Sequence, residues 1–144
     1  MSILKIIGYT ILFIVFSPGV LLTFWAGDKG YLMSEQTNYL SMIIHTIAFS
    51  TIVVALEEKK YLDQGANSEL TDIDTKNIPP VVAIMLFILL TPGLLLTIPP
   101  EAGGLLFSRE TSVLAVFLHA ILFIILFVVV SRYINKNRSY FKIQ

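Results

Sequence analysis

The chain has 144 residues, of which 56% are hydrophobic, with ten basic and ten acidic side chains and no cysteine. Balanced charge, with no Lys/Arg run interleaved with aromatics, excludes a nucleic-acid-binding surface, and the lack of cysteine excludes disulfides, thiolate catalysis and Cys-based metal sites. A mean hydropathy of +0.80 argues against the single soluble domain that this length would otherwise suggest.

A membrane-spanning helix needs about 20 mostly apolar residues. Residues 3–25 form the first such stretch, with Lys5 as its one charge. It is too long for a cleaved signal and no small-x-small site follows it. Within it, Ser17-Pro18-Gly19 interrupts the apolar run. Proline removes one backbone bond and frees the carbonyl four residues earlier, here Ile14, and glycine adds freedom to bend. A helix ending at Ser17 would cover only about 21 Å, less than the roughly 30 Å hydrocarbon core. A kinked helix continuing through Thr23 is therefore the favoured form, and a true break lining an ion or substrate site is the alternative.

Residues 26–36 connect to a second span, 37–56, in which Ser34 is the expected N-cap and Glu35 the acidic first-turn residue. Ser41, His45, Ala48, Ile52 and Ala55 trace a small-residue stripe suited to close helix approach. Residues 57–77 are the one sustained polar stretch, opening Glu57-Glu58-Lys59-Lys60, and read as a solvated linker. Ile78-Pro79-Pro80 starts the third span, 81–98, where proline is tolerated in a first turn. Thr91-Pro92-Gly93 interrupts that span as Ser17-Pro18-Gly19 does the first, freeing the carbonyl of Ile88. Residues 99–110 lead to the fourth span, 112–133, with Ser108 as expected cap and Glu110 beside it. Its stripe is Ala115, His119, Leu122, Leu126 and Val129. A basic tail, 134–144, ends the chain.

The third and fourth spans repeat the first and second. From position 12 to position 54, 17 of 43 residues are identical to those 74 positions later, without a gap. The pairs include Pro18/Pro92, Gly19/Gly93, Thr23/Thr97, Ser34/Ser108 and His45/His119. The organisation expected is a first hairpin (1–56), the linker (57–77), a second hairpin (78–133) and the tail. The fold class is an all-α membrane protein with four transmembrane helices arranged as two parallel-repeat hairpins. Lys5, Lys59, Lys60, Lys76, Arg132, Lys136, Arg138 and Lys142 lie at the termini and linker, against Lys29 and Arg109 in the hairpin loops. The positive-inside rule then puts both termini and the linker on the cytoplasm-equivalent side.

Two constellations could carry chemistry. One is the pair of Ser/Thr-Pro-Gly steps. The other is His45 and His119, eight and seven residues past the starts of their spans and so about 11–12 Å deep. An intramembrane ionisable group is a functional candidate by default, but a neutral imidazole also serves as an interhelical bond donor. The depths match, so each histidine is expected to donate to the proline-freed carbonyl or to the Ser17 or Thr91 hydroxyl of its own hairpin. Proton relay or ion coordination is the alternative. Two histidines without intramembrane Asp, Glu or Cys fall short of a catalytic zinc set, and no third residue orients Ser17–His45 as a nucleophile pair. No metal, no cofactor and no enzymatic activity are expected.

The stretch Thr91-Pro92-Gly93-Leu94-Leu95-Leu96-Thr97-Ile98-Pro99-Pro100, followed by Gly103-Gly104, Phe107-Ser108, Thr111 and His119-Ala120, resembles small two-span hydrophobic proteins of large icosahedral DNA viruses of algae and other protists. The first copy departs from that pattern at Phe24-Trp25-Ala26. The resemblance implies a structural component of a virion membrane. Its partners would be the lipid bilayer and capsid or other membrane proteins, met through the linker and tail, with homo-oligomers as a further option. A small proton or ion channel built on the histidines and helix breaks is the second function carried forward.

Overall fold

The computed structural model describes residues 3–23, 30–63 and 78–141. Residues 1–2, residues 24–29 (the end of the first expected span and the start of its loop), most of the linker (64–77) and the last three residues of the tail lie outside these. Four helices dominate the fold: α1 (Ile3–Phe16), α2 (Tyr39–Asp63), α3 (Ile78–Leu90) and α4 (Val113–Phe141). A two-stranded antiparallel hairpin, β1 (Leu96–Glu101) and β2 (Gly104–Leu106), stands between α3 and α4, with Leu96 opposite Leu106 and Glu101 opposite Gly104. Among the described residues, two helices are long and apolar enough to cross a membrane, over Tyr39–Glu57 and Val113–Asn137.

The first and third helices differ from expectation. Neither continues through its Pro-Gly step: α1 stops at Phe16 and α3 at Leu90. Gly19 and Gly93 adopt φ of +93° and +85°, a left-handed conformation that ends a helix and cannot propagate one. The chain leaves α3 as strand β1, so residues 96–98 of the expected third span are extended. The polar boundaries move as well. Helix α2 runs through Glu57 to Asp63, and α4 runs through most of the expected tail to Phe141.

Phenylalanine fills the centre. Phe13, Phe49, Phe87 and Phe123, one from each helix, are all fully buried, with Tyr9 and Phe127 beside them. Phe49 stacks on Phe87 at 4.3 Å between ring centroids, Phe13 meets Phe123 at 4.9 Å, and Phe13 meets Phe87 edge-on at 5.7 Å. Offset and edge-to-face pairs of this kind add about 0.5–1.5 kcal/mol each beyond the area they bury. These contacts join α1 to α4 and α2 to α3.

The buried rows on α2 and α4 are accordingly not the small-residue stripes. On α2 the row is Ser41, His45, Phe49, Val53 and Glu57; on α4 it is Ala115, His119, Phe123, Phe127 and Ser131. Ala55 and Val129 are exposed. Both rows keep a four-residue step, the ridge along which helices pack at steep angles, and place rings one position on from Ala48 of the expected stripe on α2 and from Leu122 and Leu126 of that on α4.

Candidate functional site

The non-helical segments after α1 and α3 fold against each other in one layer, and that layer holds the repeated motifs. Ser17 and Thr91 do not receive bonds from the histidines. Their hydroxyls turn back onto the helix, donating to the carbonyls of Phe13 (2.7 Å) and Phe87 (2.6 Å). Pro18 and Pro92 then open the turns whose glycine N–H groups need acceptors. The Gly19 N–H donates to Thr23 Oγ1 at 2.8 Å and the Gly93 N–H to Thr97 Oγ1 at 2.9 Å. Each threonine meets a serine hydroxyl at 2.7 Å, Thr23 with Ser34 and Thr97 with Ser108. Ser108 donates its one proton to the Glu110 carbonyl at 3.1 Å, which makes Thr97 the donor of the Thr97–Ser108 bond.

Ser34 and Ser108 are therefore not helix caps. The caps lie four residues later: Asn38 Oδ1 accepts from the Ser41 N–H at 2.7 Å, and Ser112 Oγ from the Ala115 N–H at 3.1 Å. Neither Glu35 nor Glu110 falls in a first turn. The Glu110 carboxylate instead accepts the Gly103 N–H at 2.8 Å.

The two segments meet at an antiparallel bridge between Gln36 and Glu110. About it, the Thr37 N–H donates to the Arg109 carbonyl at 2.9 Å and the Thr111 N–H to the Glu35 carbonyl at 3.0 Å. One bond in from these, the Glu35 N–H donates to the Gly19 carbonyl and the Arg109 N–H to the Gly93 carbonyl, both at 3.0 Å. The Thr111 methyl fills the space where a side chain at Gly19 would sit, and the Thr37 methyl does the same at Gly93. Met33, Glu35, Phe107 and Arg109 all take positive φ, from 47° to 57°. For residues with a Cβ this costs roughly 1–2 kcal/mol each, and the bonds on both sides of Glu35 and Arg109 hold it in place.

Each histidine binds within its own half, to carbonyls other than those expected. His45 Nδ1 lies 2.8 Å from the Phe16 carbonyl and His119 Nδ1 lies 2.6 Å from that of Leu90. A carbonyl only accepts, so both Nδ1 atoms carry the proton. The Ile98 N–H donates to His119 Nε2 at 3.1 Å; that nitrogen is an acceptor and the ring is neutral. The physical reason for the change of partner is the helix end itself. The last four carbonyls of any α-helix lack intrahelical donors, and with α1 and α3 terminated the final carbonyl faces the neighbouring helix.

A second cluster escaped the sequence reading. Glu57, placed there in the linker, is buried, and its carboxylate takes Lys5 Nζ at 2.9 Å and the Tyr9 hydroxyl at 2.7 Å. The positions 74 later hold Pro79, Ala83 and Ser131. Three polar residues replaced together between the copies were the available signal for this group. For Thr23 and Thr97 the signal was the fixed Gly-to-Thr spacing of four. Among the described residues no three His, Asp or Glu side chains gather as a metal site.

The chain matches a protein family over residues 5–57 and 75–136, a family described as "Protein of unknown function (DUF3339)". It belongs to that family. Each matched segment carries one Pro-Gly turn, its threonine and serine, and one histidine bonded to a helix-terminal carbonyl. No curated protein matches the chain, and no solved structure does.

Proposed function

We propose that the protein is a non-enzymatic, multi-pass membrane protein with a structural role. Its two hairpins would be related by a two-fold axis along the membrane normal, with both termini and residues 57–77 on the cytoplasm-equivalent side. The observation that carries this reading is the internal bonding of the turn layer. Non-helical backbone is tolerated at membrane depth only where protein satisfies it, and here the N–H groups of Gly19, Thr23, Glu35 and Thr37, with those of Gly93, Arg109 and Thr111, all find acceptors within the layer. Depth supports the same reading. Helix α1 covers about 21 Å, and the six residue steps from Tyr39 to His45, which is level with its end, add about 9 Å. Together these match a hydrocarbon core of about 30 Å.

What supports packing over a path is how most polar groups of the layer are spent, although the buried Thr37 and Thr111 hydroxyls have no hydrogen-bond partner among the described residues. His119 spends one nitrogen on Leu90 and the other on Ile98, and the hydroxyls of Thr23, Ser34, Thr97 and Ser108 are spent on one another and on backbone. Partners such as capsid or other membrane proteins would meet the molecule from the linker side, where the basic residues gather.

Two experiments test this. Cysteines introduced at Asn67 and Ser139 should react with an impermeant thiol reagent from one face of the membrane and a cysteine at Gly103 from the other; labelling of all three from one face would refute the topology. Proteoliposomes should remain tight to protons and monovalent cations. A leak that disappears in both H45A and H119A would replace the structural role with ion transport.

A further inference from the structure

Between α1 and α4, toward the start of the first and the end of the second, lies a cleft of about 190 Å³ lined by Ile6, Val128, Ser131, Arg132 and Asn135. Ser131 is 1% exposed, yet its hydroxyl has no hydrogen-bond partner among the described residues. A serine inside a helix commonly gives its proton to the carbonyl four residues back, and an unmatched buried hydroxyl is costly. Here it has no such partner among the described residues, and Ser131 is one of the residues that line the cleft. Arg132 and Asn135 are exposed at the rim, while Ile6 and Val128 supply an apolar wall. The polar side thus holds a buried hydroxyl, an amide and a guanidinium fork, and no carboxylate. Glu57 is occupied by Lys5 and Tyr9.

The corresponding positions 74 earlier carry opposite chemistry. In place of Ser131, Arg132 and Asn135 stand Glu57, Glu58 and Tyr61. The first half would repel an anion where the second half offers donors to one. A guanidinium matches phosphate oxygens with two parallel bonds, and in the membrane reading above, on which this inference rests, Arg132 sits at headgroup level beside further basic residues. We propose that this cleft binds the phosphate of an anionic glycerophospholipid. Arg132 holds two phosphate oxygens, Ser131 and Asn135 donate to the same group, and the first acyl carbons lie on Ile6 and Val128.

The test uses the full chain in neutral detergent, titrating phosphatidylglycerol, phosphatidylcholine or inorganic phosphate and reading thermal stability. Phosphatidylglycerol should reach half-maximal stabilisation at a concentration about tenfold below phosphatidylcholine, and R132Q should raise that midpoint about tenfold, the scale of one charge-assisted bond. S131A should not lower the lipid-free melting temperature, since its hydroxyl has no partner to lose among the described residues, and should still weaken the lipid response. K142Q removes an equal charge from the tail and should change nothing. Equal response to both lipids, or R132Q behaving as K142Q does, would overturn the site; stabilisation by inorganic phosphate matching that by phosphatidylglycerol would overturn the lipid as its ligand. Alkaline carbonate extraction separates the two readings. Release of the protein from membranes would overturn the membrane reading and the lipid site with it, whereas retention without anionic preference would overturn the site alone.

Discussion

Gly19, Thr23 and Ser34 make the same bonds as Gly93, Thr97 and Ser108, at distances that agree to 0.1 Å. At the other end of the helices, Lys5, Tyr9 and Glu57 form a charged cluster where Pro79, Ala83 and Ser131 form none. The difference follows from where the halves touch. In the turn layer each half supplies what the other lacks: Thr111 covers Gly19 and Thr37 covers Gly93. A change on one side there disturbs both. The polar bonds of the Lys5–Tyr9–Glu57 cluster are made within the first half, only the Tyr9 ring reaching across to pack edge-on against Phe127, so the equivalent positions of the second could change together without breaking those bonds.

The harshest way to break the shared layer is G19A or G93A. A Cβ at Gly19 runs into the Thr111 methyl and stands 3.0 Å from the Gln36 carbonyl oxygen, and both glycines have φ near +90°. Strain and overpacking together should cost about 3 kcal/mol or more by thermal unfolding in detergent. Adding T111S should recover part of the loss in G19A and none in G93A; recovery in neither would mean that the methyl contact is not what limits the site.

The unshared end is tested by E57A against S131A. Removing Glu57 strands the Tyr9 hydroxyl and Lys5, whose ion pair with Glu57 has side chains 22% (Lys5) and 11% (Glu57) exposed. A fully buried pair would lose more, and partial exposure reduces the expected cost to about 2 kcal/mol. S131A should cost nothing measurable. Equal losses at both positions would erase the contrast between the halves.

Smaller effects sharpen the likeness. H45A and H119A should each cost about 1.5 kcal/mol by leaving a buried carbonyl without its donor, and Gln at either position should restore much of it. T23V and T97V should each cost about 1 kcal/mol, with the two values within error of each other; a clear inequality would show that one turn is held by contacts the other lacks.

Much of this arrangement was legible in the sequence. Helical periodicity and apolar length found four helices, and the repeat offset paired their motifs. Depth along the chain set each histidine against the end of the preceding helix, which is where its bond lies. The arithmetic chose carbonyls two residues too early because it assumed a kinked helix; the positive φ of the glycine, which decides between kink and stop, depends on Thr37 and Thr111 arriving from the other half. The Ser34 and Ser108 caps failed for a related reason. Ser-before-Glu is a sound local signal, but a buried threonine hydroxyl across the layer competes for the same serine. The stripe on α2 was misread because small residues permit close approach without driving it, and Phe49, one position from Ala48, buries far more surface; on α4 Phe123 and Phe127 take the buried row from the neighbouring Leu122 and Leu126.

The bridge at Gln36 and Glu110 joins residues 74 apart, and the bonds flanking it are exchanged in kind, Thr37 to Arg109 and Thr111 to Glu35. That is the geometry of an isologous contact, the kind two identical subunits make about a two-fold. A chain carrying one half alone would present the same edge with its donors and acceptors unfilled and its glycine uncovered, and a second such chain would fill both. The interior seam of this protein is in that sense a dimer interface carried on a single polypeptide, and the covalent continuity of the two halves makes their assembly independent of concentration.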